Sequence, residues 1–134
     1  TYAILAASLI PLIGFAGIGI DVGRAYMASS RLQSAVDAAT LAAVRVEQIY
    51  PGSGTSAGPR TAATVNSYLQ ANMPDQMMGA IQGTPVISVQ RKDEEVTVKV
   101  TVDGDMPTSL MRVLGFETMD IAAEAVGVAG KTLP

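Results

Sequence analysis

Apolar and polar positions divide this chain into stretches of different period. From Thr1 to Ile20 no side chain is charged. As a helix that run is about 30 Å long at about 1.5 Å per residue, the thickness of a bilayer's hydrocarbon core. It exceeds the roughly 7–15 apolar residues of a secretory signal, and no small-residue cleavage site marks an end. Asp21 opens a second pattern, in which the helical period continues to about Gln48. There Leu32, Ala35, Ala39, Ala42, Ala43 and Val46 recur at spacings of three and four, opposite Arg31, Ser34, Arg45 and Gln48. Buried alanines contribute little apolar area each, so this stripe suits a close approach, and the expected partner is the chain's own sheet.

Within the apolar run, Pro11 lacks a backbone N–H, which predicts a kink or a loosened turn. Gly14, Gly17, Gly19 and Gly23 follow. Each glycine costs a helix about 1 kcal/mol relative to alanine, and close helix-to-helix approach is a reason for such a cluster. Gly19 and Gly23 form a G-x-x-x-G pair, and Ala3 and Ala7 a small-x-x-x-small pair. Asp21 and Arg24 lie one turn apart: they pair on the surface, or, in a bundle, between subunits. The candidate packing and assembly positions are Pro11, Gly14, Gly17, Gly19, Asp21, Gly23, Arg24, Ala35 and Ala39.

The Gly, Ser and Pro cluster from Tyr50 to Pro59 breaks the helix and predicts a solvent-exposed loop. A second helix is expected from Arg60 or Thr61, carrying Ala63, Val65 or Asn66, Tyr68, Leu69 and Met73, and stopping before Pro74. Asp75 to Gly83 is ambiguous, with Met77, Met78 and Ile81 suited to one more helical turn. The period then becomes two. Val96, Val98, Val100 and Val102 alternate with Thr97, Lys99, Thr101 and Asp103, and Ile87 and Val89 make a partner strand across a turn at Lys92 to Glu94. After a turn at Gly104, Pro107 to Leu114 reads as a short helix closed by Gly115. Met119 to Val128 reads as a third strand with Met119, Ile121, Ala123 and Ala125 on one face. Three strands need their apolar face covered, and the amphipathic half of the long helix is the natural cover. The expected class is α+β: a long helix over 1–49, apolar in 1–20 and amphipathic in 21–49, a loop over 50–60, and a small head over 61–134.

Composition narrows the function. A net charge of -3 with only nine scattered Lys and Arg residues disfavours nucleic acid as a partner. With no cysteine and no histidine, disulfides, thiol chemistry, imidazole or thiolate metal sites and histidine acid–base catalysis are excluded. Asp103-Gly104-Asp105 reads as an acidic turn rather than a calcium loop, whose chelating glutamate it lacks. Asp93, Glu94 and Glu95, beside Arg91 and Lys92, read as a solvated hairpin tip. Asp37 and Glu47 are roughly three helical turns apart, too far for a carboxylate dyad. Thr1 leads into a lipid-length helix with no pocket to make it a nucleophile, and the glycines at 14, 17 and 19 lack the Lys-Ser or Lys-Thr of a phosphate loop. The expectation is a non-enzyme without cofactor or metal.

Two segments carry a family resemblance: G-I-G-I-D-V-G-R-A-Y at 17–26 and R-L-Q-S-A-V-D-A-A-T-L-A-A at 31–43. They resemble the N-terminal signature of the TadE/TadG-like proteins of tight-adherence (Tad/Flp) pilus systems. The later V-T-V-K-V-T-V, M-P-T-S-L-M-R-V-L-G and I-A-A-E-A-V-G-V-A are similar to the head that follows it in such proteins. The resemblance implies a pilin-like subunit that waits in the inner membrane and then packs with copies of itself into an extracellular filament, helped by other pilus assembly proteins. Its alternative is a minor pilin or assembly factor that stays anchored in the inner membrane. Type IV pilins carry an acidic residue near the start of the mature apolar segment, where this chain has Leu5.

Overall fold

A computed structural model describes residues 1–74 and 79–130. Helix α1 spans Tyr2–Ile49 and runs without a break through Pro11, where a kink or loosened turn is expected from the missing N–H. It ends at Tyr50, whose N–H still reaches the Val46 carbonyl at 2.8 Å. Helix α2 spans Pro59–Asn72, with proline in the first helical position where its lack of a donor costs nothing. Four strands follow: β1 (Ile81–Gln82), β2 (Val86–Lys92), β3 (Glu95–Pro107) and, after a 3-10 turn at Met111–Leu114, β4 (Thr118–Ala129). The expected helical turn at Met77 and Met78 lies outside the described residues, and Ile81 opens β1 instead.

The sheet is antiparallel with β3 at its centre. β4 lines one side of β3, and β2 and the two-residue β1 lie end to end along the other. The alternating valines decide the register: Val98 pairs with Val89 and Gly127, Val100 with Ile87 and Ala125, and Val102 with Ala123. Val98, Val100 and Val102 are completely buried. A two-residue turn, Asp93-Glu94, joins β2 to β3, with Asp93 in the left-handed region at φ 54°.

One expected turn is absent. Gly104 stands inside β3, paired with Gln82 and Ile121, so Asp103-Gly104-Asp105 is strand rather than an acidic turn. Glycine and aspartate are poor strand formers, but partners on both sides carry the ladder through them, and the inward alternation resumes at the buried Met106. The short helix expected over Pro107–Leu114 contracts accordingly. Strand continues to Pro107, and only Met111–Leu114 winds, stopped by Gly115 at φ 90°.

The second half of α1 covers the inner face of the sheet, as the alanine stripe requires. Ala28, Leu32, Ala35, Val36, Ala39 and Ala43 are fully buried with the sheet valines and with Val65 and Leu69 of α2. The approach is very close: a Cβ built on Gly127 of β4 would lie 2.6 Å from Cγ2 of Val44 and 3.1 Å from Cγ2 of Thr40. The buried sector is also wider than the stripe. Val36, Thr40, Val44 and Glu47 are buried while Ala42 and Val46 are half-buried, because α2 and the sheet press on adjoining sides of the same helix. Gln33 and Gln48 of α1 donate side-chain hydrogen bonds to the Glu124 and Gly130 carbonyls, at 2.9 and 3.2 Å.

Candidate functional site

The first half of α1 leaves the head uncovered. Tyr2, Ile4, Leu5, Leu9, Ile10, Leu12, Ile13, Phe15 and Ile20 are all more than half exposed, and before Asp21 only Gly17 is buried. The helix is long and apolar enough to cross a membrane. A water-soluble domain rarely presents such a continuous apolar surface, so this rod is the first candidate for an interaction surface.

The sequence-derived positions fall into three groups. Pro11 is exposed, and Cβ atoms built on Gly14, Gly19 and Gly23 would meet nothing within 4 Å, so these residues face open space. Gly17 is different: Leu110 covers it, with its Cβ 2.7 Å from the position a Cβ built on Gly17 would take. Ala35 and Ala39 are fully buried against the chain's own sheet. A leucine at Ala39 would therefore disturb the head's core before it reached a neighbouring chain.

Asp21 and Arg24 form the junction between rod and head. Asp21 is only 2 % exposed, so of the two arrangements left open by the sequence the surface pairing does not hold, and the burial is within this chain. Its Oδ1 accepts the Ser109 N–H at 2.9 Å, and its Oδ2 accepts those of Leu110 at 2.8 Å and Met111 at 2.7 Å. Arg24 donates to the Ser109 hydroxyl and stands 3.6 Å from Asp21 Oδ1. The carboxylate thus caps the 3-10 turn and latches residues 108–116 to the rod. The Met111 N–H, with those of Ser109 and Leu110 and the Arg24 charge, holds the Asp21 carboxyl below its ordinary range against the cost of burial. Nothing in the side-chain pattern announces this, because the donors are backbone groups far along the chain. The one cue is that Asp21 is the first charge after the apolar run.

Asp21→Ala is expected to free that loop while the sheet persists. Amide exchange at Ser109, Leu110 and Met111 should quicken about tenfold or more, with β3 unchanged. Unchanged protection of those amides would show that the latch does not hold the loop.

A second buried carboxylate organises the head. Glu47 accepts from the Gly52 N–H at 2.5 Å, the Gly58 N–H at 3.3 Å, the Thr61 hydroxyl and the Arg91 guanidinium. Burial alone would raise its pKa, and these hydrogen bonds outweigh burial and lower it. They gather the 50–58 segment, which is largely exposed as expected but also meets β2, through the Val89 N–H to the Thr55 carbonyl at 3.1 Å. Gly52 is required there: a Cβ on it would lie 2.6 Å from the Gly58 nitrogen.

Among the described residues no group of three or more carboxylates is placed to hold a metal ion. Comparison with curated proteins and with solved structures gives no match. Residues 1–46, the rod and the helix that carries it into the head, match the family described as putative Flp pilus-assembly TadE/G-like, the family that the 17–26 and 31–43 segments resemble.

Proposed function

We propose that the chain is a pilin-like subunit of a Tad/Flp-type pilus. It is held in the inner membrane by its apolar rod and then polymerises through Thr1 to about Arg31 into a filament that displays the head outside the cell. The observation that carries this reading is the exposed rod: among the described residues the head meets it at residues 110–114, beside Ile10, Ile13, Gly14 and Gly17, while most of its apolar side chains and the open space at Gly19 and Gly23 are left uncovered. The family match over residues 1–46 supports a role in pilus assembly. Glycines with free space permit helix backbones to approach one another closely, which is what a bundle of such rods requires.

Electron microscopy of sheared cell-surface material, with antibody to the head, tests the proposal. Labelled filaments are the expected result, together with crosslinked ladders of this chain. Crosslinks only to other proteins and no labelled filament would leave an anchored assembly factor in its place.

A further inference from the structure

The loop held by Asp21 carries an apolar surface of its own. Leu110, Val113, Leu114 and Phe116 are 42, 85, 55 and 57 % exposed, and Arg112 is the one charge among residues 110–116. The patch continues the rod rather than standing apart from it. Leu110 sits on Gly17, and Leu110, Val113 and Leu114 share an apolar groove of about 270 Å³ with Ile10, Ile13 and Gly14. Whatever medium surrounds the exposed rod at this level also surrounds the loop.

We propose that the 110–116 loop is a second membrane contact, which enters the lipid interface beside the rod. The proposal rests on the reading that the rod lies in a bilayer before assembly. Irregular backbone cannot face hydrocarbon with its polar groups unmet, and six N–H groups of this segment have partners within the chain. Asp21 takes the N–H groups of Ser109, Leu110 and Met111, while those of Val113, Gly115 and Phe116 reach the Leu110, Arg112 and Met111 carbonyls. Leu110 packs at Gly17, about 6 Å along the helix from Asp21, within the roughly 5–10 Å depth to which interfacial segments bury their apolar side chains. Arg112 is exposed and suits the anionic headgroup layer, reaching it by its long stem. The head is then fixed at two points, rod and loop, so its orientation to the membrane is set.

The absence of cysteine makes the test direct. Val113→Cys, Ile4→Cys and Gln70→Cys variants of the full chain, each carrying an environment-sensitive fluorophore, are reconstituted in phosphatidylethanolamine/phosphatidylglycerol vesicles. Lipid-borne shallow nitroxide and aqueous iodide serve as quenchers. The expected result is that nitroxide quenches the label at Val113 by about half or more, that Ile4, about 25 Å along the rod from Asp21 and so near the opposite interface, is also quenched by lipid-borne nitroxide, and that Gln70 on the exposed side of α2 responds only to iodide. A lipid-quenched Ile4 with an iodide-accessible Val113 overturns the proposal and leaves the rod in the bilayer. A Val113 label shielded from both quenchers shows the loop covered by protein instead of lipid, which also overturns it. Lipid quenching at neither position removes the bilayer reading of the rod itself.

Discussion

Replacing Glu47 with alanine is expected to destabilise the head by about 3 kcal/mol, a large part of the roughly 5–15 kcal/mol available to a domain. The carboxylate is completely buried, and its removal leaves the Gly52 and Gly58 N–H groups, the Thr61 hydroxyl and Nη2 of Arg91 without this acceptor, while Nη1 of Arg91 keeps the Gly54 carbonyl. Losing one partner of a buried charged pair costs about 3–5 kcal/mol, and the lower end applies because the Arg91 side chain keeps 23 % of its exposure and can turn to water. Urea unfolding of the detergent-solubilised chain, followed by circular dichroism, measures the change. A shift below about 0.5 kcal/mol, the range of an ordinary surface substitution, would show that the clamp does not hold the fold.

The same carboxylate makes stability depend on pH in a defined direction. Its folded pKa is lowered, so its contribution is complete above the ordinary glutamate value of 4.5 and is lost as pH falls from there through the folded pKa. Asp21, lowered from 3.8, adds a loss in the same direction over a lower range. Glu47→Gln, which cannot titrate, should reduce the acid limb of the stability profile while lowering stability at neutral pH.

Gly19→Leu is expected to abolish filament formation while leaving the head intact. The two effects have opposite signs, which makes the variant informative. In the isolated chain a Cβ built at this exposed helical position meets no atom within 4 Å, and leucine gains about 1 kcal/mol in helix propensity over glycine. In a bundle it would hold neighbouring backbones apart at one of the two glycines of the G-x-x-x-G pair. Filament yield by electron microscopy, beside the thermal unfolding of the head, separates the two. A folded head with wild-type filament yield would remove close packing at Gly19 from the assembly mechanism.

The elements that repeat were legible from the sequence, and the contacts that hold them together were not. Val96 to Val102 and Met119 to Val128 announce strands because alternate residues meet opposite environments, and β3 and β4 extend beyond both stretches. The alanine face of α1 announces a close partner, and Gly127 shows how close. Periodicity failed where polar residues took inward positions. Thr40 returns its hydroxyl to the Val36 carbonyl at 2.7 Å, and Glu47 is met by donors from a loop and a strand, so neither position looks apolar in sequence. Asp21 stands out in sequence as the start of the second helical pattern and a packing candidate, but its partners are backbone N–H groups 88 to 90 positions away, which no side-chain pattern encodes. Gly104 misled for the opposite reason, since a local turn signal was overridden by pairing on both sides.

The two glutamines that α1 extends toward β4 bear on how many heads can be crowded together. Among the described residues β4 pairs with no strand but β3, and a bare strand edge of that length would recruit strands from neighbouring molecules. Gln33 and Gln48 already occupy carbonyls at Glu124 and Gly130. Heads standing side by side would thus meet at a partly closed edge, and growth of an assembly would stay with the rods instead of passing into sheet-to-sheet fusion.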